Sequence, residues 1–297
     1  LFLFFLCLIP QISNAQVTQE WVRRHNGPGN GIEISSVIAI DGSGNIIIAG
    51  AEYSSLGDWD FLIKKYDSLG TVLWQERYNG GANWSDVVSA SAVDASGNIY
   101  VTGGSSASGN TYDIATVKFN SAGVLQWVNK YNGTASGHDV GRDIKIDASG
   151  NVYVTGYSDC VILGDNFITI KYNSAGSILW TAFYGSPVPG AKDYADRIVI
   201  DGLGSSFVTG VTTKRAGDID YATIKYNSSG VQQWVQKYNG PADGIEYIND
   251  MEIDASGNVY VTGHSQGIGT DYDYATVQYN SSGTVLWEQR YDGPSSN

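Results

Sequence analysis

The chain has 297 residues, a formal net charge of −13 and two cysteines. So acidic a chain lacks the basic surface on which nucleic-acid binding depends, which excludes nucleic acid as its partner. Two cysteines exclude a scaffold built on several disulfides, so the fold must be stabilised by its hydrophobic core. A chain of this length can bury a core of sufficient size.

Residues 1–15 are predicted to be a secretory signal peptide. Residues 1–9 are apolar, and Ser13-Asn14-Ala15 resembles the small-residue site at which signal peptides are cleaved. The apolar run is shorter than the roughly 20 residues that a membrane span needs, and no second run follows. We therefore expect a secreted protein without a membrane span, with its repeat domain at residues 16–297.

From there on, a unit of 53 or 54 residues repeats along the chain. An Asp-x-Ser-Gly-Asn motif begins at Asp41, Asp94, Asp147 and Asp254, with a variant at Asp201. A tryptophan recurs with the same period: Trp21, Trp74, Trp127, Trp180, Trp234 and Trp287. Regular recurrence at this length indicates a repeat architecture in which each unit is one supersecondary structure.

Each unit is predicted to fold into four antiparallel strands. The first is short (144–146), the second is apolar and β-branched (152–155), the third alternates (221–226) and the fourth holds the tryptophan (285–291). The Asp-x-Ser-Gly segments suit type I turns between strands, and no segment has the period of a helix. Four short strands in units of this length are typical of a β-propeller blade.

The predicted fold is thus all-β: a β-propeller with five four-stranded blades of about 53 residues each. The blades are assigned to residues 32–80, 85–133, 138–186, 192–240 and 245–293. A sixth tryptophan segment, residues 20–24, precedes the first blade and is predicted to be an extra N-terminal strand. Because propellers often pair such a strand with three C-terminal strands, we expect the natural protein to be a ring of about six or more blades.

The repeat resembles the bacterial beta-propeller repeat family SBBP. The shared pattern is Asp-x-Ser-Gly-Asn-Val-Tyr-Val-Thr-Gly, then Asp-Tyr-Ala-Thr-Ile-Lys-Tyr-Asn-Ser-x-Gly, then a tryptophan and Tyr-Asn-Gly, and it runs over residues 20–293. The resemblance implies a secreted or surface-exposed bacterial propeller, and it brings no catalytic motif. A weaker likeness, from Gly230 to Trp234, is to the tryptophan-docking repeat of quinoproteins.

The strand order sorts the loops onto two ends of the propeller. The tight-turn end carries the short turns between strands one and two and between strands three and four. The variable-loop end carries the connections between strands two and three and between blades, whose sequences differ from unit to unit. Because repeat proteins usually present function on their variable surface, a ligand is expected at the variable-loop end.

Two columns of acidic residues are predicted at the variable-loop end. The first precedes each tight turn by eight residues: Glu33, Asp86, Asp139, Asp193 and Glu246. The second starts the third strand of each blade: Asp60, Asp113, Asp220 and Asp273, with Asn166 in the middle blade. Such regularity favours a structural role in capping strands and loop amides, and the alternative is a ring of ligand contacts.

In three blades a further carboxylate lies two residues before the second acidic column. The doublets are Asp58 with Asp60, Asp218 with Asp220, and Asp271 with Asp273. Side chains two residues apart in a strand point to the same side, and clustered carboxylates are calcium ligands. Calcium is therefore the one cofactor that the sequence suggests, although no complete calcium-binding loop is present.

Two tryptophans outside the periodic column are candidate ligand contacts. Trp59 and Trp84 both fall in loops of the variable-loop end, and Tyr112 and Tyr272 match Trp59 in their own blades. Exposed aromatic rings beside carboxylates could form a stacking platform for sugars. The alternative is that these rings pack over the ends of strands.

No catalytic residue is assigned. Gly263-His-Ser-Gln-Gly267 matches a hydrolase motif by letter, but that motif needs a strand-turn-helix context. The histidines lack zinc-ligand spacing, and we find no convergent set of unlike residues that breaks the repeat. The leading hypothesis is a non-catalytic scaffold that binds or displays an extracellular protein or glycan. The alternative is an extracellular enzyme, hydrolase or quinoprotein-like, with its site in blades outside this sequence.

Overall fold

The computed structural model describes residues 20–55, 57–81, 84–106, 111–135, 137–160, 164–215, 218–269 and 271–293. Over these ranges the chain forms 21 β-strands and no helix, which confirms the predicted all-β class. No helix able to cross a membrane occurs in this part of the chain. The predicted signal peptide at residues 1–15 lies outside the described residues.

Five four-stranded antiparallel sheets follow one another along the chain. The first blade has β1 (Glu33–Ile40), β2 (Ile46–Tyr53), β3 (Trp59–Tyr66) and β4 (Val72–Tyr78). The second has β5 (Asp86–Val93), β6 (Ile99–Ser106), β7 (Tyr112–Phe119) and β8 (Leu125–Tyr131). The third has β9 (Asp139–Ile146), β10 (Val152–Cys160), β11 (Gly164–Tyr172) and β12 (Ile178–Tyr184), and the short β13 (Ala191–Lys192) pairs with β11 in parallel.

The fourth and fifth blades repeat the same order. The fourth has β14 (Tyr194–Ile200), β15 (Ser206–Arg215), β16 (Asp218–Tyr226) and β17 (Gln232–Tyr238). The fifth has β18 (Glu246–Ile253), β19 (Val259–Gln266), β20 (Tyr272–Tyr279) and β21 (Val285–Tyr291). The predicted propeller of five four-stranded blades is therefore confirmed.

The turn between the first two strands explains the Asp-x-Ser-Gly-Asn motif. In the third blade, Asp147 Oδ1 accepts hydrogen bonds from the amides of Ser149 and Asn151, both at 2.9 Å. The other carboxylate oxygen accepts from Asn151 Nδ2 at 2.7 Å and from the hydroxyl of Tyr153 at 3.2 Å. One aspartate thus satisfies the polar groups of the whole turn.

Each first strand contains a β-bulge, and the bulge fixes the glycine of the Val-Tyr-Val-Thr-Gly segment. In the third blade the register shifts between Thr155 and Gly156, which leaves Arg142 of β9 without a partner in β10. The carbonyl oxygen of Val140 then approaches so closely that a Cβ on Gly156 would lie 1.9 Å from it. The same shift recurs in the other four blades, so each needs a glycine at this position.

Neighbouring blades bury their faces against each other. At the junction of the second and third blades, Tyr100 and Ile114 cluster with Val154, Ile168 and Tyr172, and all five are fully buried. Equivalent apolar clusters fill the other three junctions. A single sheet with two apolar faces is not stable alone, so these junctions form the hydrophobic core.

The periodic tryptophan crosses each junction and docks on the next blade. Trp127 Nε1 donates to the carbonyl oxygen of Ser174 at 3.1 Å, and its ring centroid lies 6.1 Å from that of Tyr172. Gly176 has a φ of +83°, and a Cβ there would lie 2.6 Å from the indole. The equivalent bonds are Trp74 to Ser121, Trp180 to Ser228 and Trp234 to Ser281.

The structure corrects two predicted elements. The first strand, predicted at 144–146, extends over Asp139–Ile146, and the extra strand predicted at residues 20–24 does not form. Residues 20–32 belong to no strand. Trp21 nevertheless occupies the tryptophan site of the first blade, with Nε1 donating to the carbonyl oxygen of Ser68 at 3.1 Å. Arg23 Nε adds a bond to the carbonyl oxygen of Gly70 at 2.7 Å. The side chains can dock alone, whereas a strand needs a neighbouring strand edge to pair with, and no described strand pairs with this segment.

Replacing Trp127 by alanine should lower the free energy of unfolding by about 3–5 kcal/mol, because it leaves a cavity between two blades. Denaturant titration measures the change. Trp84→Ala is the control, since that ring is 46% exposed and outside the periodic column, and it should change stability by less than about 0.5 kcal/mol. A loss below about 1 kcal/mol for Trp127→Ala would show that the docked ring contributes little.

Candidate functional site

The first acidic column lies at the variable-loop end but points into the protein. Four members are fully buried: Asp86, Asp139, Asp193 and Glu246. Asp86 Oδ2 accepts from the amide of Gly80 at 2.6 Å, and Asp139 Oδ2 accepts from the amide of Gly133 at 2.7 Å. Glu33 makes the same contact in the first blade. These carboxylates hold the loop that enters each blade, and direct contact with a ligand stays a prediction.

The sequence analysis missed a column of basic residues beside the second acidic column. They precede the last tyrosine of the fourth strand: Arg77, Lys130, Lys237 and Arg290. Arg290 Nη2 donates to Asp273 Oδ2 at 2.9 Å. Burial raises the pKa of Asp113, and the charge of Lys130 counters that rise. The third blade has neither the acid nor the base, because Asn166 replaces the aspartate and Phe183 replaces the basic residue. An alignment of the repeats shows that the two charges are lost together.

The first blade differs at the position opposite the second acidic column. Glu52 stands where the other blades have serine or threonine: Ser105, Ser158, Thr212 and Ser265. Its buried carboxylate binds both Arg77 and His25, so Arg77 does not pair with Asp60. Burial raises the pKa of Asp60 to about 6, and the negative charges of Asp58, Asp86 and Glu52 add to the rise.

Two of the three predicted calcium doublets have basic partners. Asp218 forms ion pairs with Lys214 Nζ at 3.5 Å and with Arg215 Nε at 3.2 Å. Asp273 is paired with Arg290, and Asp271 beside it is exposed. These positive charges offset part of the negative charge of each doublet, which weakens it as a site for a cation.

The third doublet has a different environment. Asp58 and Asp60 are both buried, and neither forms an ion pair with a described residue. Across the described ranges, no three Asp, Glu, His or Cys side chains are arranged to hold a metal ion by themselves. Calcium binding therefore stays a prediction for all three doublets.

Two of the predicted aromatic contacts pack against neighbours. The ring of Trp59 is half-buried and meets that of Tyr53 edge-on, with centroids 5.5 Å apart. Tyr112 is half-buried beside His138 of the loop that enters the third blade, with centroids 5.5 Å apart. No ring contact joins Trp59 to Trp84 in the part of the chain that the structure describes.

Trp84 is a large residue at a position where most of the other blades have glycine. The corresponding positions in three other blades are glycines: Gly31, Gly137 and Gly244. At Gly137 an added Cβ would lie 1.7 Å from the side chain of Asp159, the last but one residue of the second strand there. Blade 2 has the small Ser106 in place of Asp159. The space so released accommodates the indole, which is 46% exposed.

Tyr272 lies in an aromatic group on the last described blade. Its ring is 48% exposed and lies 5.1 Å from that of His264 and 6.2 Å from that of Tyr247, between centroids. In blades 1 to 4 the corresponding face is covered by the next blade. No described segment covers this face of blade 5, so the exposure of Tyr272 is a weaker sign of function than that of Trp84.

The bulged first strands bring together unlike residues that the sequence analysis did not find. Successive first strands contact each other and are the inner strands of the propeller. The bulge residues are Ser36, Ser89, Arg142, Asp196 and Asn249. Arg142 Nη1 lies 3.1 Å from Asp196 Oδ1, and Arg197 Nε lies 3.5 Å from Asp250 Oδ1. Ion pairs thus link the inner strands of blades 3, 4 and 5.

Comparison with known proteins agrees with this architecture. The model of the SBBP beta-propeller repeat family matches residues 129–160, which confirms the resemblance drawn from the sequence motifs. No curated protein matches the chain.

Many solved structures resemble the fold, and two of them illustrate the likeness. One is a eukaryotic initiation factor, with 9% identity and a TM-score of 0.51 over 87% of this chain. The chain spans only 55% of that protein's length. The other is an ulvan lyase of a new polysaccharide lyase family, with 11% identity and a TM-score of 0.51 over 85% of this chain and 69% of that one. Identities this low show the fold alone.

Asp60 gives a testable pH dependence. Its pKa is about 6 in the folded protein against 3.8 ordinarily, so the folded state holds the proton more tightly than the unfolded state. Stability should therefore fall as the pH rises from about 4 to about 6, by on the order of 2 kcal/mol. Asp60→Asn removes this charge and should raise Tm at neutral pH but change it little near pH 4, as thermal unfolding across pH would show.

Asp273→Asn is the matched control at the same position of blade 5. It removes an acid that is paired with Arg290 at 2.9 Å and should lower Tm at neutral pH. If both variants shift Tm in the same direction and by the same amount, Asp60 is not the unpaired acid described above.

Proposed function

We propose that this chain is an extracellular, non-catalytic β-propeller that binds or displays a glycan or protein partner at its variable-loop end. The observation that carries the proposal is Trp84, a large apolar ring that is 46% exposed where three other blades have glycine. The ring stacks on no other ring among the described residues. The ring is therefore accessible to a partner, and covering it would remove apolar surface from water.

The chemistry around Trp84 favours a glycan over a protein. An indole face packs well against the C–H face of a sugar ring, and one flat ring on a polar surface is enough for such a contact. Val87, 44% exposed, extends the apolar surface along the same strand end. The net charge of −13 opposes a polyanionic glycan and favours a neutral one.

The extracellular location rests on two sequence features. The signal peptide predicted at residues 1–15 would direct export, and the SBBP resemblance implies a secreted or surface-exposed bacterial protein. The absence of a disulfide framework is compatible with this location, because the blade junctions supply the stabilising core.

A second candidate function is an extracellular enzyme acting at the inner strands. The observation that favours it is the set of unlike charged residues there, in which burial raises the pKa of Asp196. Pairs of carboxylates with different environments catalyse glycoside hydrolysis. However, Asp196 and Asp250 are each paired with an arginine, at 3.1 and 3.5 Å, so both carboxylates already have a structural role in linking the inner strands. Binding is therefore preferred.

Trp84→Ala should abolish binding to neutral glycans. The test is a glycan array probed with the wild-type protein, followed by calorimetry on the hits. Leu203→Ala is the matched control, since it removes an apolar side chain that is 86% exposed in a tight turn, at the opposite end of the propeller. It should leave binding unchanged.

Two results would contradict the glycan proposal. One is an array without hits, which would leave a protein partner as the candidate. The other is a glycan hit whose affinity changes less than about threefold in Trp84→Ala. Release of a smaller sugar from a bound glycan during incubation would favour the enzyme instead.

A further inference from the structure

Three carboxylate oxygen atoms at the junction of blades 1 and 2 are buried without a hydrogen-bond donor among the described residues. They are Asp58 Oδ2, Asp60 Oδ1 and Asp86 Oδ1. All three residues are more than nine-tenths buried. An ionised oxygen is strongly destabilised in such a place unless a proton or a cation neutralises it.

A third carboxylate, that of Asp86 in β5, faces the doublet from blade 2. It is fully buried, and its Oδ2 accepts from the amide of Gly80 at 2.6 Å. Asp58, directly before β3, Glu52 on β2 and Asp86 on β5 all raise the proton affinity of Asp60. Negative charge from three strands of two blades therefore converges on this junction.

The basic groups nearby are engaged with other partners. Arg77 of β4 and His25 of the N-terminal segment both bind Glu52. Lys130 of β8 donates to the carbonyl oxygen of Gly80 at 2.8 Å, and its charge acts on Asp86. None of them forms an ion pair with Asp58 or Asp60.

The equivalent doublets in blades 4 and 5 show what the first blade lacks. In blade 4, Asp218 Oδ1 and Asp220 Oδ1 also lack a hydrogen-bond donor, but Lys214 and Arg215, which both pair with Asp243 as well, form ion pairs with Asp218. In blade 5, Arg290 pairs with Asp273. Of the three doublets, only the one in blade 1 forms no ion pair with a basic residue that the structure describes. The reason is one residue, because Glu52 binds the arginine that would otherwise face Asp60.

We propose that Asp58 and Asp60 bind a divalent cation, that the negative charge of Asp86 adds to the attraction, and that this cation is calcium. Calcium prefers carboxylate and carbonyl oxygens and accepts about six to eight of them, commonly including main-chain carbonyls and water. Among the described residues, no three Asp, Glu, His or Cys side chains form a metal site, so Asp58 and Asp60 supply the charged ligands and neutral oxygens supply the rest.

The test is calcium titration of the metal-free protein by calorimetry and by thermal unfolding, at about pH 7.5 and about pH 5. At the higher pH, calcium should raise Tm and bind with measurable heat. Asp60→Asn and, separately, Asp58→Asn should each weaken binding at least about tenfold. Asp273→Asn is the same substitution in a doublet that has a basic partner, and this variant should bind calcium as the wild type does. At the lower pH the proton on Asp60 should compete and weaken binding.

The proposal is wrong if calcium leaves the Tm of the wild-type protein unchanged at the higher pH, or if Asp60→Asn binds as tightly as the wild type. In the first case a proton alone neutralises the cluster, and in the second the ion binds elsewhere. The proposal does not rest on the glycan site, since Trp84→Ala should leave the calcium response unchanged.

Discussion

The contact between one blade and the next supports every other feature of this protein. A four-stranded sheet with two apolar faces leaves both faces in water unless a neighbour covers them. The periodic tryptophan adds a hydrogen bond and a defined ring contact to this apolar packing between blades. Trp127 donates to the main chain of Ser174 and lies on Gly176, so the two blades meet at a fixed height and angle. The constant period of 53 or 54 residues follows from this geometry.

The same contact controls the acidic residues at the variable-loop end. The next blade covers them, so each carboxylate needs a donor or a cation in place of water. The first column finds main-chain amides, as Asp86 does with Gly80. The second column depends on basic side chains for charge compensation, so the presence of Glu52 in blade 1 has a large effect. Glu52 binds Arg77, which leaves the charge of the Asp60 cluster unbalanced while the fold stays the same.

In such a repeat, a residue can take on a binding role where packing no longer restricts which side chain fits at its position. Glycine is required beside the end of the second strand when a long side chain such as Asp159 packs there. Ser106 removes that constraint in blade 2, and Trp84 can then occupy a position with no structural role for its ring. The inner strands follow the same logic, because a bulge residue has no partner in the sheet. Ser36, Arg142 and Asp196 can therefore differ freely.

The sequence by itself determined the repeat, the four strands of each blade, the turn chemistry and the docked tryptophan. All of these depend on residues within one unit, or on the same residue one unit later, and periodicity makes both visible. It also placed the acidic columns at the correct end of the strands. It could not show that Asp139 points inward, or that residues 20–24 would dock without pairing. Only the tertiary structure decided these points, because they depend on whether a neighbouring edge or loop is present. The environment of Asp60 is the clearest case. The charges of Glu52, Arg77 and Asp86 shift the pKa of Asp60, and only folding brings these residues of four strands and two blades close enough to act on it.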